Sequence, residues 1–224
     1  MNGKRQFRNS PFNILSHAVT VALAIAVIFA LTVVLAQSTQ AQTPATGVGR
    51  TEEVLHSFGS GSDGYRPFAG LIFDAAGNLY GTTAGAYESC NYYGCGTVFE
   101  LSPTAGGGWT EQVLHIFGNG RDGAYPYASL IFDSAGNLYG TTAGGGSTYC
   151  FNGCGTVFEL TPVAGGWAET VLYSFCPQGG ICSDGDSPDS ALVFDAEGNL
   201  FGTTSSGGTG CRYNSCGVVW EITP

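Results

Sequence analysis

The residues with the most reactive side chains are eight cysteines, and they fall in four close pairs: Cys90 and Cys95, Cys150 and Cys154, Cys176 and Cys182, and Cys211 and Cys216. Thiols so placed can oxidise to disulfides or, as thiolates, hold a soft metal ion. Local, even pairing in a chain that opens on an export leader predicts four hairpin disulfides. A zinc site is the weaker reading, because the spacings vary and no histidine accompanies them. Cys-x-x-Cys, the spacing of a thiol oxidoreductase, is absent. Loops this short add on the order of 2–3 kcal/mol each at best.

Carboxylates form the second group. Asp-Gly-x-x-Pro recurs at Asp63, Gly64 and Pro67, at Asp122, Gly123 and Pro126, and at Asp184, Gly185 and Pro188. The third copy adds Asp186 and Asp189, so Asp184, Asp186 and Asp189 are the expected ligands if a Ca²⁺ ion binds. Otherwise no cofactor is expected, and the first two loops read as capped turns. Asp74, Asp133 and Asp195 each open an Asp-x-x-Gly-Asn hairpin turn, where the carboxylate accepts from turn amides. His56 and His115 share a repeat position with Tyr173, which favours packing or a hydrogen bond over catalysis. Glu100, Glu159 and Glu221 also recur, and paired carboxylates can support glycoside chemistry. No nucleophile elbow, zincin motif, P-loop or dinucleotide fingerprint appears, and no catalytic residue is assigned.

The elements that carry these residues repeat three times. VLHSF at 54–58 returns as VLHIF at 113–117 and VLYSF at 171–175. LIFDAAGNLYGTT at 71–83 returns at 130–142 and 192–204, and GTVFEL at 96–101 returns at 155–160 and, as GVVWEI, at 217–222. Each unit holds four short stretches rich in β-branched and aromatic residues, bounded by Gly, Pro, Asp or Asn. A unit of about 60 residues with four strands fits a propeller blade. The predicted fold is all-β, a propeller-like array of three four-stranded blades that is incomplete as a monomer. The blades are placed at 51–104, 109–162 and 168–224. The VLHSF-type strand, first in each unit, is expected to lie outermost and to complete a neighbouring blade. Phe99, Phe158 and Trp220, like Phe58, Phe117 and Phe175, recur in register and read as packing between blades. A closed propeller has at least four blades, so three leave open ends that invite self-association.

Ahead of the repeats, Lys4, Arg5 and Arg8 precede an unbroken apolar run from Ala18 to Ala36. Residues 1–41 therefore read as a signal peptide or an amino-terminal membrane anchor, a transmembrane helix in the second case, and 42–50 as a flexible linker. Either way the remainder is exported, secreted or held at the cell envelope, with membrane contact only through this segment. Beyond residue 41 lie all seventeen carboxylates against four Arg and no Lys, a net charge of −13. That body repels phosphate backbones, which excludes nucleic acid as a partner.

The blocks LIFDAAGNLYGTT and GTVFEL, separated by a Gly-rich loop, resemble the GloVer or Gloeobacter/Verrucomicrobia tandem repeat found in choice-of-anchor exported bacterial proteins. The resemblance covers about residues 52–223 and implies an exported repeat protein, with no catalytic residues to carry across. The expected function is a non-enzymatic scaffold or binding module for an unknown protein or glycan. The alternative is a propeller-type carbohydrate-active hydrolase or lyase.

Overall fold

Short β-branched and aromatic runs between glycine-rich turns have one way to satisfy their backbone, which is to pair side by side. The computed structural model describes residues 51–59, 62–86, 96–118, 120–210 and 216–223. Its strands are β1 Ile72–Phe73, β2 Leu79–Thr83, β3 Gly96–Pro103 and β4 Trp109–Phe117, then β5 Ile131–Phe132, β6 Leu138–Thr142, β7 Thr156–Val163 and β8 Gly166–Ser174, then β9 Val193–Phe194, β10 Leu200–Thr203 and β11 Val219–Ile222. They form three antiparallel sheets in the orders β1-β2-β3-β4, β5-β6-β7-β8 and β11-β10-β9.

The protein is thus all-β and repetitive, but the expectation of three equal blades in a propeller needs correction. Among the described residues the sheets have four, four and three strands, and none closes or curls into a propeller. The VLHSF-type strand explains the inequality. As β4 and β8 it pairs with the sheet before it in the chain, Phe99 opposite Val113 and Phe158 opposite Val171. Residues 54–58, its first copy, belong to no strand among the described residues. In β4 and β8 one residue, Leu114 or Leu172, is extra to the ladder. Such a bulge twists the strand and re-aims a side chain, and both leucines pack into the core.

The core lies between successive sheets. Phe117 of β4 meets Phe158 of β7 edge to face at 5.0 Å, Phe175 meets Trp220 at 5.6 Å, and Phe58 meets Phe99 at 4.8 Å. Tyr80 of one sheet likewise meets Phe132 of the next, and Tyr139 meets Phe194. Glycine in each LYGTT-type strand makes this possible, because a Cβ on Gly140 would strike the Phe158 ring. Thr82 carries the contact into polar territory, its hydroxyl donating to the Pro126 carbonyl at 2.8 Å.

The expected transmembrane helix is also corrected. The described residues contain no helix at all, and so none long and apolar enough to cross a membrane. The run at 18–36 that prompted the expectation lies outside the described residues, with the rest of 1–41, the linker 42–50, Cys90, Cys95 and Cys211.

Candidate functional site

Each hairpin aspartate is consumed by its own turn. Asp133 Oδ1 accepts from the backbone N–H of Ala135 and Asn137 at 2.8 and 2.9 Å, and Oδ2 accepts from Asn137 Nδ2 at 2.8 Å and lies 3.2 Å from the Tyr139 hydroxyl, whose shorter bond, 2.8 Å, goes to Glu159 Oε1. Asp74 repeats the set with Ala76, Asn78 and Tyr80. Partial burial pushes both carboxyls up, but the Asn and turn-amide hydrogen bonds outweigh it and hold them below the ordinary carboxylate range. Asp195 is held low by Asn199, and Phe201 at the Tyr position offers no fourth contact. A depressed folded pKa gives stability that is present above the unfolded value, about 3.9, and lost as pH falls through the folded value. Replacing Asp133 with Ala should therefore cost about 1 kcal/mol at pH 7. The difference from the parent should shrink below pH 4, as read by urea unfolding at each pH.

The Asp-Gly-x-x-Pro loops are built by the same means. Asp63 and Asp122 are buried, and accept from the N–H of Gly59 and Gly118, each at 3.2 Å. His56 Nε2 lies 3.4 Å from Asp63 Oδ2 and His115 Nε2 lies 3.6 Å from Asp122 Oδ2. At the third copy the Tyr173 hydroxyl donates to Asp184 Oδ2 at 2.8 Å, beside the Cys176 N–H at 2.9 Å. The His, His, Tyr series is a set of polar partners for one carboxylate. Burial, followed by the Asp184 contact, pushes the Tyr173 phenol up to about 12, so it stays a donor. Beneath the loops the paired hydroxyls of Thr83 and Thr97, and of Thr142 and Thr156, meet at 2.7 Å. Gly123 takes φ 115° directly above them, where a Cβ would overlap Thr142. Glu111 and Glu169 approach the His56 and His115 sets from the neighbouring outer strand, and desolvation pushes both carboxyls up, despite the histidines. Equal repetition of this Glu, His and Asp grouping marks it as architecture.

So anchored, the loops hold a strained backbone. Arg66, Tyr125 and Ser187, each just before a proline, have φ of 62°, 59° and 56°. This left-handed region is costly for residues with a Cβ, about 1–3 kcal/mol, and persists only where the surroundings fix it. The turn throws aromatic rings outward. Tyr125 and Tyr127 stack with an interplanar angle of 7°, Phe68 lies 5.9 Å from Tyr127, and the Arg66 guanidinium sits 5.7 Å from the Tyr65 ring. Burial raises the Tyr125 phenol, and Tyr127 and Tyr65 add to it. Phe68 and Tyr127 are exposed. Sequence reasoning missed this cluster because its members vary from unit to unit. The signal was in the loops' variable positions, aromatic in the first two and acidic in the third.

The third loop does not make the expected Ca²⁺ site. Asp184 is committed to Tyr173 and Cys176, while Asp186 accepts from the Ser187 hydroxyl at 2.9 Å and burial pushes its carboxyl up. Asp189 is exposed and does not join them in a cluster. The expectation of Ca²⁺ or no metal is corrected by a different group. Among the described residues, the set able to hold a metal ion is Cys150, Cys154, Cys176 and Cys182, whose sulfurs all lie within 4.8 Å of one another. They are joined as Cys150–Cys154 and Cys176–Cys182, and Sγ of Cys150 lies 3.9 Å from Sγ of Cys182. The turn after β6 and the insertion after β8 bring the two pairs together, with the Ser147 hydroxyl donating to the Cys176 carbonyl at 2.8 Å. Four thiolates around Zn²⁺ at about 2.3 Å stand a little under 4 Å apart, close to this spacing. Cys216 is also disulfide-bonded.

Repeated antiparallel sheets, with buried Asp and Thr fixing the loops and disulfides tying them, define a tandem-repeat β module. Residues 41–224 match the Gloeobacter/Verrucomicrobia repeat, and the chain belongs to that family. No curated protein matches it.

Proposed function

We propose that the protein is an exported, non-enzymatic binding module whose ligand surface is the aromatic cluster of the first two Asp-Gly-x-x-Pro loops. The observation that carries this reading is Tyr65, Phe68, Tyr125 and Tyr127 gathered on loops whose backbone is held in a strained conformation by buried aspartates. Flat rings with hydroxyl edges, fixed before the ligand arrives, suit the apolar faces of sugar rings and save the ordering cost of binding. The body's net charge of −13 turns away polyanions, which favours neutral glycans. Antiparallel sheets stacked in series, read as blades of a propeller-like array, present the loops side by side. The disulfides fit an oxidising compartment.

Affinity electrophoresis in gels containing neutral polysaccharides tests the reading. Retardation of the protein is expected, and the double variant Phe68→Ala, Tyr127→Ala should reduce it by tenfold or more in apparent affinity. Both rings are exposed, so the variant should keep the parent's unfolding midpoint. Unchanged retardation of that variant, or no retardation of the parent, overturns the assignment.

A further inference from the structure

We propose that the outer edge of β11 receives residues 53–58 of a second copy as its fourth strand, so that two chains close into one array of six sheets. The first observation is a comparison of equivalent residues. Val98, Val157 and Val219 hold the same place in the three sheets; the first two are 0% exposed and Val219 is 80% exposed. On the opposite face of the array, Leu71, Leu130 and Leu192 are equivalent; the last two are 1% and 2% exposed and Leu71 is 50% exposed. Val98 shares its cluster with Leu114 and Phe117 of the outer strand and with Leu130 of the following sheet. Val219 lacks each of those partners in its own chain among the described residues. Leu55, Phe58 and Leu71 of a second copy are the same residue types at the same repeat positions. Phe73 and Val193 tell the same story, exposed where Phe132 and Ile72 pack between sheets.

The second observation is the groove itself. A cavity of about 330 Å³ follows the edge of β11, lined by Tyr173, Phe175, Asp184, Val219, Trp220 and Glu221. Tyr173 and Asp184 correspond to His56 and Asp63, which stand beside Glu111 of β4 where that strand is present. The groove is therefore the place of an outer strand. The segment whose sequence matches β4 and β8 is 54–58, and it uses neither backbone edge in a ladder among the described residues. An open edge beside an unpaired strand is a template for addition of that strand.

The register follows from the other two sheets. Phe99 opposite Val113 and Phe158 opposite Val171 place Trp220 opposite Val54 of the second copy. Glu100 opposite Gln112 and Glu159 opposite Thr170 place Glu221 opposite Glu53, with Leu55 as the bulged residue. The contact is head to tail, and it closes in a pair because six sheets lie within the range that forms a ring, whereas three do not.

Analytical ultracentrifugation of the protein made from its full coding chain, in mild detergent, tests this. Twice the mass of one denatured chain is expected. The mass of one chain, or a ladder of masses above two, overturns the proposal. Val219→Asp and Leu71→Asp should each give monomers, because each places an unpaired charge in both contacts. Mixing the two should restore pairs, through the one contact that joins unaltered Val219 to unaltered Leu71; failure to pair on mixing counts against the head-to-tail arrangement. Glu53→Gln removes a like-charge pair across the new ladder and should tighten association roughly two- to fivefold. No tightening overturns the register.

Discussion

Replacing Phe158 with Ala is expected to remove about 3–5 kcal/mol of stability, a large share of the total. A domain of this size has about 5–15 kcal/mol in total. The ring is fully buried, lies edge to face with Phe117, and covers Gly140, where no side chain can replace it. Its loss opens a cavity at the junction of the first and second sheets. The neighbours cannot collapse into that space, because Val157, Leu138 and Leu160 are held by ladder registers on both sides. Urea unfolding followed by tryptophan fluorescence reads the effect. Phe158→Trp is the informative companion, since Trp220 occupies the same place in the third sheet over Gly202. It should cost far less than Ala, about 1–3 kcal/mol of overpacking.

Reduction should convert the four-cysteine cluster from two disulfides into a zinc site. Taking up four electrons from an added dithiol, Cys150, Cys154, Cys176 and Cys182 become four thiols, and Zn²⁺ binding as thiolates displaces their protons. Reduction alone should lower stability by about 2 kcal/mol for each short loop released. One equivalent of Zn²⁺ should then raise the melting temperature above that of the reduced, metal-free protein. Proton release makes the gain larger at pH 8 than at pH 6. Cys176→Ser leaves three sulfurs and should abolish the gain, while Cys216→Ser should not. A reduced protein whose melting temperature ignores Zn²⁺ shows that the four sulfurs serve only as covalent ties.

Much of the fold was legible because repetition multiplies weak signals. A single Asp-x-x-Gly-Asn is a plausible turn; three in register, each followed by a β-branched run, leave little choice. The His, His, Tyr position was readable as packing or hydrogen bonding: Tyr173 hydrogen-bonds the loop aspartate, while the two imidazoles approach theirs at 3.4 and 3.6 Å. What escaped depends on distance along the chain. The VLHSF-type strand was readable as the outermost one, completing a neighbouring sheet, and β4 and β8 do so; that the neighbour is the sheet before it is decided by which edge is open. The approach of Cys150 to Cys182 arises where two loops from different units meet. Asp184 resembled a Ca²⁺ ligand because its partners, Tyr173 and the Cys176 amide, are 11 and 8 residues upstream. The aromatic cluster was hidden for the opposite reason: its residues differ between units, and repetition draws the eye to what stays the same.

The offset between sequence units and sheets has a mechanical consequence. β4 is the edge of one sheet, and five residues beyond its end the chain forms the loop around Asp122 that anchors the next. A sheet cannot come apart without dragging a strand out of its predecessor. Tension along the chain is borne by whole ladders loaded in shear, with no single sheet free to peel away first. The three sheets share one fate under load, as links do in a woven belt and beads on a string do not.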